Sequence, residues 1–146
     1  MNQIIIQLIA ASLGSVGFAL ILKVGKNLLS YAALGGMITW AIYLIVYAQM
    51  PSLFLANFAA SVFVGLYAEI MARAKKIPTT IFLTSASIPL IPGGKLYYCM
   101  AGLVTSDEAM FADNGADTAI IVLGIVVGLV VTAIFTKYFY RIVGRR

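Results

Sequence analysis

Lys95 is the residue whose setting points most directly to chemistry. It closes the string Ile88-Pro89-Leu90-Ile91-Pro92-Gly93-Gly94-Lys95, inside an apolar run from Thr79 to Val104. Proline removes a backbone donor and collides with the preceding turn, and glycine is a weak helix former, so this string interrupts a helix. At membrane depth the freed backbone groups need partners in protein or in a water-filled cavity. A lysine at that depth costs at least about 2.5 kcal/mol on insertion scales. Following Gly93-Gly94, Lys95 stands at the start of the next helical piece, where unbonded N–H groups and the positive end of the helix dipole favour an anion. That combination suits a carboxylate, on an amino acid or a small organic acid. The structural alternative is that Lys95 pairs with an acid on another helix or extends its stem toward the interface.

The neighbours of Lys95 add polar groups. Tyr97 and Tyr98 are successive helix positions about 100° apart, so one of them shares a side with Lys95. Its hydroxyl would bond substrate or partner; the alternative is an aromatic packed on a neighbouring helix. Upstream, Thr80, Thr84 and Ser87 are spaced i, i+4, i+7 and share a face, with Thr79 and Ser85 beside them. That face either lines a polar path to the break or serves helix packing and back-bonding to its own carbonyls. Glu69 is the one acid inside an apolar run, four residues before Arg73. An i, i+4 ion pair explains it; the other readings are a proton-coupling carboxylate or a counter-ion of Lys95. Asn57 is either interhelical glue or a pathway residue.

Other chemistries lack their parts. There is no histidine, and Cys99 is the single cysteine, inside an apolar run. That leaves no metal site, no intrachain disulfide and no ordinary general base. A Ser–Lys dyad of Ser85 or Ser87 with Lys95 has no recognised spacing, and no phosphate-binding loop is present. The chain is expected not to be an enzyme and to need no cofactor.

The elements that hold these residues are membrane spans. Of 146 residues, 62% are hydrophobic and 10% charged, and the mean hydropathy is +1.03, against roughly half apolar and a quarter charged in soluble domains. The fold class expected is an all-α integral membrane protein of one transmembrane domain. Five spans emerge: about 3–22, 28–49, 53–72, 79–105 and 118–138. The fourth is 27 residues long, where roughly 20 suffice. It is read as two half-helices, about Thr79–Ile88 and Lys95–Thr105, broken at 89–95 near the midplane; a kinked continuous helix is the alternative. Between the fourth and fifth spans the sequence predicts a loop, Ser106–Asp117, with a short interfacial helix near Glu108-Ala109-Met110-Phe111. Small residues mark close-packing faces: Gly124 and Gly128, then Ala10, Gly14 and Gly17, then Ala56, Ala60 and Ala68.

Charge sets the orientation. With the Lys23/Lys26 turn in the cytoplasm, nine of the ten basic residues fall inside: Lys23, Lys26, Arg73, Lys75, Lys76, Lys137, Arg141, Arg145 and Arg146. Four of the five acids, Asp107, Glu108, Asp113 and Asp117, fall outside. This positive-inside pattern predicts an outside N-terminus and a cytoplasmic C-terminus. Trp40, Tyr43 and Tyr47 approach the outer face, Tyr138 and Tyr140 the inner. Lys23 and Lys26 follow the first apolar run rather than precede it, which suits a signal-anchor span and not a cleavable leader. The net charge of +5 is spent beside apolar runs, so anionic membrane lipid, and no nucleic acid, is the expected contact.

Five spans with this fourth-span string, Ile88-Pro89-Leu90-Ile91-Pro92-Gly93 followed by Tyr97-Tyr98, resemble the threonine/serine exporter family, and in particular its short C-terminal module. That module occurs fused to a larger half or as a separate small subunit. The resemblance spans essentially the whole chain, and its most specific part is Pro-Leu-Ile-Pro-Gly with the trailing tyrosines. It implies a proton-driven secondary exporter of threonine and serine in the cell (cytoplasmic/inner) membrane, or of a dicarboxylate such as succinate in some split members. It implies a larger partner subunit with five spans of its own. Pro89, Pro92, Gly93 and Tyr97 are the matching positions; Lys95 rests on the physical argument alone. The substrate-binding set expected is therefore Pro89, Pro92, Gly93, Gly94, Lys95, Tyr97, Tyr98, Thr84 and Ser87, with Glu69 as the proton-coupling candidate. Alternating access would work against the partner or against a second copy in a homo-oligomer. The contrasting reading is a non-transporting scaffold subunit. A homo-oligomeric channel would want a polar stripe along a whole span, and none is evident.

The orientation is open to a direct check. With Cys99 replaced, a single cysteine placed in the 106–117 segment should react with an impermeant maleimide added from outside intact cells. Labelling only from the cytoplasmic side would reverse the topology.

Overall fold

The apolar runs become helices whose ends are set by local backbone chemistry. The computed structural model describes residues 2–143; Arg145 and Arg146 of the expected basic tail, and the Tyr140 side chain of the expected inner belt, lie outside the described residues. The helices are α1 (Asn2–Ile21), α2 (Leu29–Gln49), α3 (Leu53–Lys75), α4 (Thr79–Ser87), α5 (Gly93–Thr105) and α6 (Glu108–Val143), with 3-10 turns at Lys26–Leu28 and Ile88–Leu90. No strand occurs among the described residues. Lys76 ends α3 in the left-handed region, letting Ile77 N donate to Ala72 O at 3.0 Å. Lys23 does the same after α1, where Val24 N donates to Ala19 O at 3.0 Å. Each wrap satisfies a carbonyl that the helix end leaves free.

Four helices are long and apolar enough to cross a membrane: α1, α2 with its leading turn, α3 and α6. The fourth expected span is interrupted, but over a shorter stretch than the expected 89–95, because Gly93, Gly94 and Lys95 already belong to the second helix. α4 stops at Ser87 and passes through the Ile88–Leu90 turn, and α5 begins at Gly93.

One expectation is corrected. The segment Ser106–Asp117 is not a loop with a separate short helix. Ser106 adopts φ 56° and closes α5, Asp107 Oδ1 accepts from Met110 N at 2.9 Å, and from Glu108 the chain runs without interruption into the fifth span. An acid read as a topology marker is the N-cap of the longest helix. α6 has 36 residues and is about 54 Å long, far more than the roughly 30 Å of a hydrocarbon core.

α1, α2 and α3 pack as consecutive antiparallel neighbours. Gly36 of α2 lies against Ser15 of α1, and Gly35 lies against Tyr67 of α3 and Ala86 of α4. The α3–α6 pair is parallel and the most extensive contact in the molecule. Its register reads directly from close approaches: Gly124 against Phe54 O and Asn57, Gly128 against Phe58 O and Ser61, and Thr132 against Gly65. Ser61 Oγ also donates to Gly124 O at 3.4 Å, and Thr132 Oγ1 to Val62 O at 3.4 Å. Two parallel helices need a return crossing between them, and α4 with α5 supply it. The centre of the core is Ala60, Val64, Ala86 and Leu90, so the 3-10 turn enters the middle of the bundle.

A side chain on the α6 glycine face has no room. A Cβ at Gly124 would lie 2.7 Å from Phe54 O, a backbone atom that cannot move aside, whereas one at Gly17 would meet nothing within 4 Å. Gly124→Val should lower stability by about 1–3 kcal/mol, seen as a fall in melting temperature in detergent. Gly17→Ala should cause no such fall.

Candidate functional site at the interrupted helix

The interruption has a defined backbone. Pro89 sits in the 3-10 turn and lacks the N–H that would continue α4. Ile91 is extended, with φ −63° and ψ 123°, and its N–H reaches Ile88 O at 3.2 Å. Gly93 N donates to Ile91 O at 2.7 Å, and Leu96 N to Pro92 O at 2.9 Å. Gly94 and Lys95 fall in the first turn of α5, where N–H groups have no intrahelical acceptor. A Cβ at Gly93 or Gly94 would meet nothing within 4 Å, so the backbone there is open to a ligand.

Lys95 is paired. Its Nζ lies 2.8 Å from Asp117 Oδ2 of α6, and the two side chains are 44% and 33% exposed. Asp117 is about two turns before Gly124, which touches the first turn of α3, so this pair lies near the end of the bundle where α3 begins. Tyr43 and Tyr47, near the end of α2, lie within electrostatic reach of Lys95. The break itself starts at core depth, with Leu90 against Ala60 and Val64, but it delivers Lys95 toward one face. The structural alternative, an acid on another helix, is realised in Asp117.

The remaining residues of the expected site divide into groups. Pro89 faces a cleft of about 260 Å³ shared with Gln7, Ala10, Ala11 and Trp40. Trp40 Nε1 donates to Gln7 Oε1 at 3.3 Å across its wall. Tyr97 and Tyr98 meet edge to face at 5.4 Å and are both exposed, so the helix does not bury one and present the other. Thr84 Oγ1 donates to Thr80 O at 2.6 Å and Ser87 Oγ to Thr84 O at 3.0 Å. Their protons go to their own helix, which leaves their oxygens as acceptors. Glu69 is elsewhere: it bonds Arg73 at 3.1 Å, the i, i+4 pair the spacing predicts, and lies beside Thr79 at the opposite end of α4 from the break.

Sequence reasoning did not pick out Gln7, Trp40 as a wall residue, or Asp117 as the partner of Lys95. A lone Gln in an apolar span was the available signal for Gln7. For Asp117 the signal was hidden, because its distance from Lys95 follows from an antiparallel α5–α6 register that also sets Cys99 beside Gly115 and Gly102 beside Phe111.

A bundle of long apolar helices around one interrupted helix defines a multi-pass membrane protein. Residues 7–135 match the family described as Threonine/Serine exporter, ThrE, and the chain belongs to that family. It is a membrane transporter of the threonine/serine exporter type, and amino-acid efflux is the activity of its class. No curated protein and no solved structure was found to match it.

Because both members of the Lys95–Asp117 pair are partly exposed, the pair is worth little as a brace. Asp117→Asn should lower stability by at most about 1 kcal/mol, read from thermal unfolding in detergent. A protein that no longer folds would show the pair to be a structural clamp.

Proposed function

We propose that this chain is the small, five-span subunit of a two-component secondary exporter of threonine and serine, driven by the proton gradient across the cytoplasmic membrane. Its N-terminus faces outside and its C-terminus the cytoplasm. The parallel α3–α6 pair with one return crossing between them supports five passes. The substrate α-carboxylate binds at the start of α5, on the N–H groups of Gly94 and Lys95 and the Lys95 ammonium. Asp117 holds that ammonium until the carboxylate displaces it. The carbonyl end of α4, with the acceptor oxygens of Thr84 and Ser87, faces the substrate ammonium across the turn set by Pro89, Pro92 and Gly93. Tyr97 and Tyr98 complete the site when the larger subunit, or a second copy, covers α5. The observation that carries this reading is a free helix start beside a paired lysine, in a chain of this family.

What favours a partner is the setting of α5. Among the described residues it packs against α6 alone of the long helices. It leaves Leu96, Tyr97, Met100, Leu103 and Val104 more than half or about half exposed. α5 is covered on a single side, which leaves its remaining surface to lipid or to a helix of the larger subunit.

Lipid vesicles carrying this chain, alone or with a larger subunit of the same family, test the proposal. Threonine efflux should require both proteins. In the paired vesicles Lys95→Met should cut efflux about tenfold or more, the equivalent of losing a charged hydrogen bond of about 1.5–3 kcal/mol. Efflux by this chain alone would overturn the two-component reading, and a normal rate for Lys95→Met would move the site. Succinate carried in place of threonine would reassign the substrate.

A further inference from the structure

At the other end of α4 a second, partly open polar site lies between three helices. A cavity of about 40 Å³ is lined by Gly65 and Glu69 of α3, Thr79 of α4, and Thr132 and Thr136 of α6, with aliphatic side chains closing the rest. Gly65 lets Thr132 of α6 approach α3 closely, since a Cβ there would lie 2.7 Å from the Thr132 methyl. Thr132 and Thr136 are buried. The Thr132 Oγ1 proton is shared between Gly128 O at 2.9 Å and Val62 O at 3.4 Å, and the Thr136 Oγ1 proton between Thr132 O at 2.9 Å and Ala133 O at 3.2 Å. A hydroxyl has one proton, so both present only acceptor lone pairs to the cavity. The Glu69 carboxylate is likewise an acceptor, and its Oε2 takes one bond from Arg73 at 3.1 Å.

A set of acceptors, two of them on buried threonines and one a partly exposed carboxylate, suits a cation. Size narrows the choice: a water-sized particle needs roughly 10–15 Å³ of such space, so the cavity holds very few and excludes an amino acid. The cleft beside Pro89, at about 260 Å³, is several times larger. The charged groups around Glu69 are few. Arg73 bonds it from its own helix, and the cavity-lining residues of α4 and α6 are neutral. Lys137 follows Thr136 but lines a different cleft with Tyr138 and Arg141. An ionisable group near the end of a span, with a named partner and a cavity beside it, is a candidate functional position in a membrane protein.

We propose that Glu69, Thr79, Thr132 and Thr136 form the binding site of the coupling cation, a proton carried as hydronium or a sodium ion. This deepens the exporter reading above and rests on it. The cation competes with Arg73 for the carboxylate. Binding ties α3, α4 and α6 together at one end of α4, while the substrate is held at the other end. One short helix then senses both occupancies.

The test uses the complete exporter, this chain with its partner, in lipid vesicles. Threonine accumulation is measured under an imposed proton gradient, under a sodium gradient, and as threonine–threonine exchange with neither. The wild type should respond to one gradient, which identifies the cation. Glu69→Gln should lose about tenfold or more of that response while exchange stays within about twofold. Thr132→Val with Thr136→Val should raise the cation concentration needed for half-maximal drive. Arg73→Gln should keep the gradient response. The site is overturned if Glu69→Gln still accumulates threonine normally or loses exchange together with accumulation. It is also overturned if Arg73→Gln reproduces the loss and the double variant restores transport, since Glu69 would then be only a partner for Arg73. A wild type indifferent to both gradients would instead remove the coupled-exporter reading, and this site with it.

Discussion

The close approach of α3 and α6 is the constraint from which the rest of the architecture follows. Gly124 and Gly128 bring α6 onto the backbone oxygens of Phe54 and Phe58. In lipid no hydrophobic force draws helices together, so such contacts depend on small residues and on hydroxyls bonding across the interface. Ser61 and Thr132 supply those hydroxyls. Because the two helices are parallel, the chain must return between them. The return is made by α4, the Pro89–Pro92 turn and α5. The fixed register also decides where the surplus of α6 goes: its first turns stand past the start of α3, and α5 packs along them.

That placement changes the character of Lys95. As a lone charge in an apolar run it would carry a desolvation cost of several kcal/mol. In the folded chain it reaches Asp117, and both side chains keep partial access to their surroundings. A partly exposed pair of this kind is weak: it holds the lysine in place at little gain in stability. The interrupted helix likewise meets most of its backbone needs within the turn, through Ile88 O, Ile91 O and Pro92 O, and leaves the first N–H groups of α5 open.

The two polar regions lie at opposite ends of α4. At one end the Pro89 cleft and the start of α5 meet α1, α2 and α6. At the other, Glu69 and the threonines of α6 surround Thr79. Within α4 the hydroxyls of Thr84, Ser85 and Ser87 all bond back to its own carbonyls. Such back-bonding satisfies hydroxyls in lipid without tying them to a neighbouring helix. α4 is held in the core by the fully buried Phe82, Ser85 and Ala86.

The sequence by itself determined the helical class and that the apolar run after Thr79 is interrupted by its prolines, although it set the start of the second helix two residues late. Those properties are local: span length, proline and glycine chemistry, and the placement of charge are written in consecutive residues. It also determined the Glu69–Arg73 pair, because four residues make one turn of a helix. Tertiary structure alone decided which acid meets Lys95, that Asp107 caps a continuous α6, and that Gln7 and Trp40 border the cleft at Pro89. It alone gathered Thr132 and Thr136 around Glu69. Each of these joins residues far apart in the chain. Their meeting depends on the α5–α6 and α3–α6 registers, and a register is fixed only when whole helix faces pack.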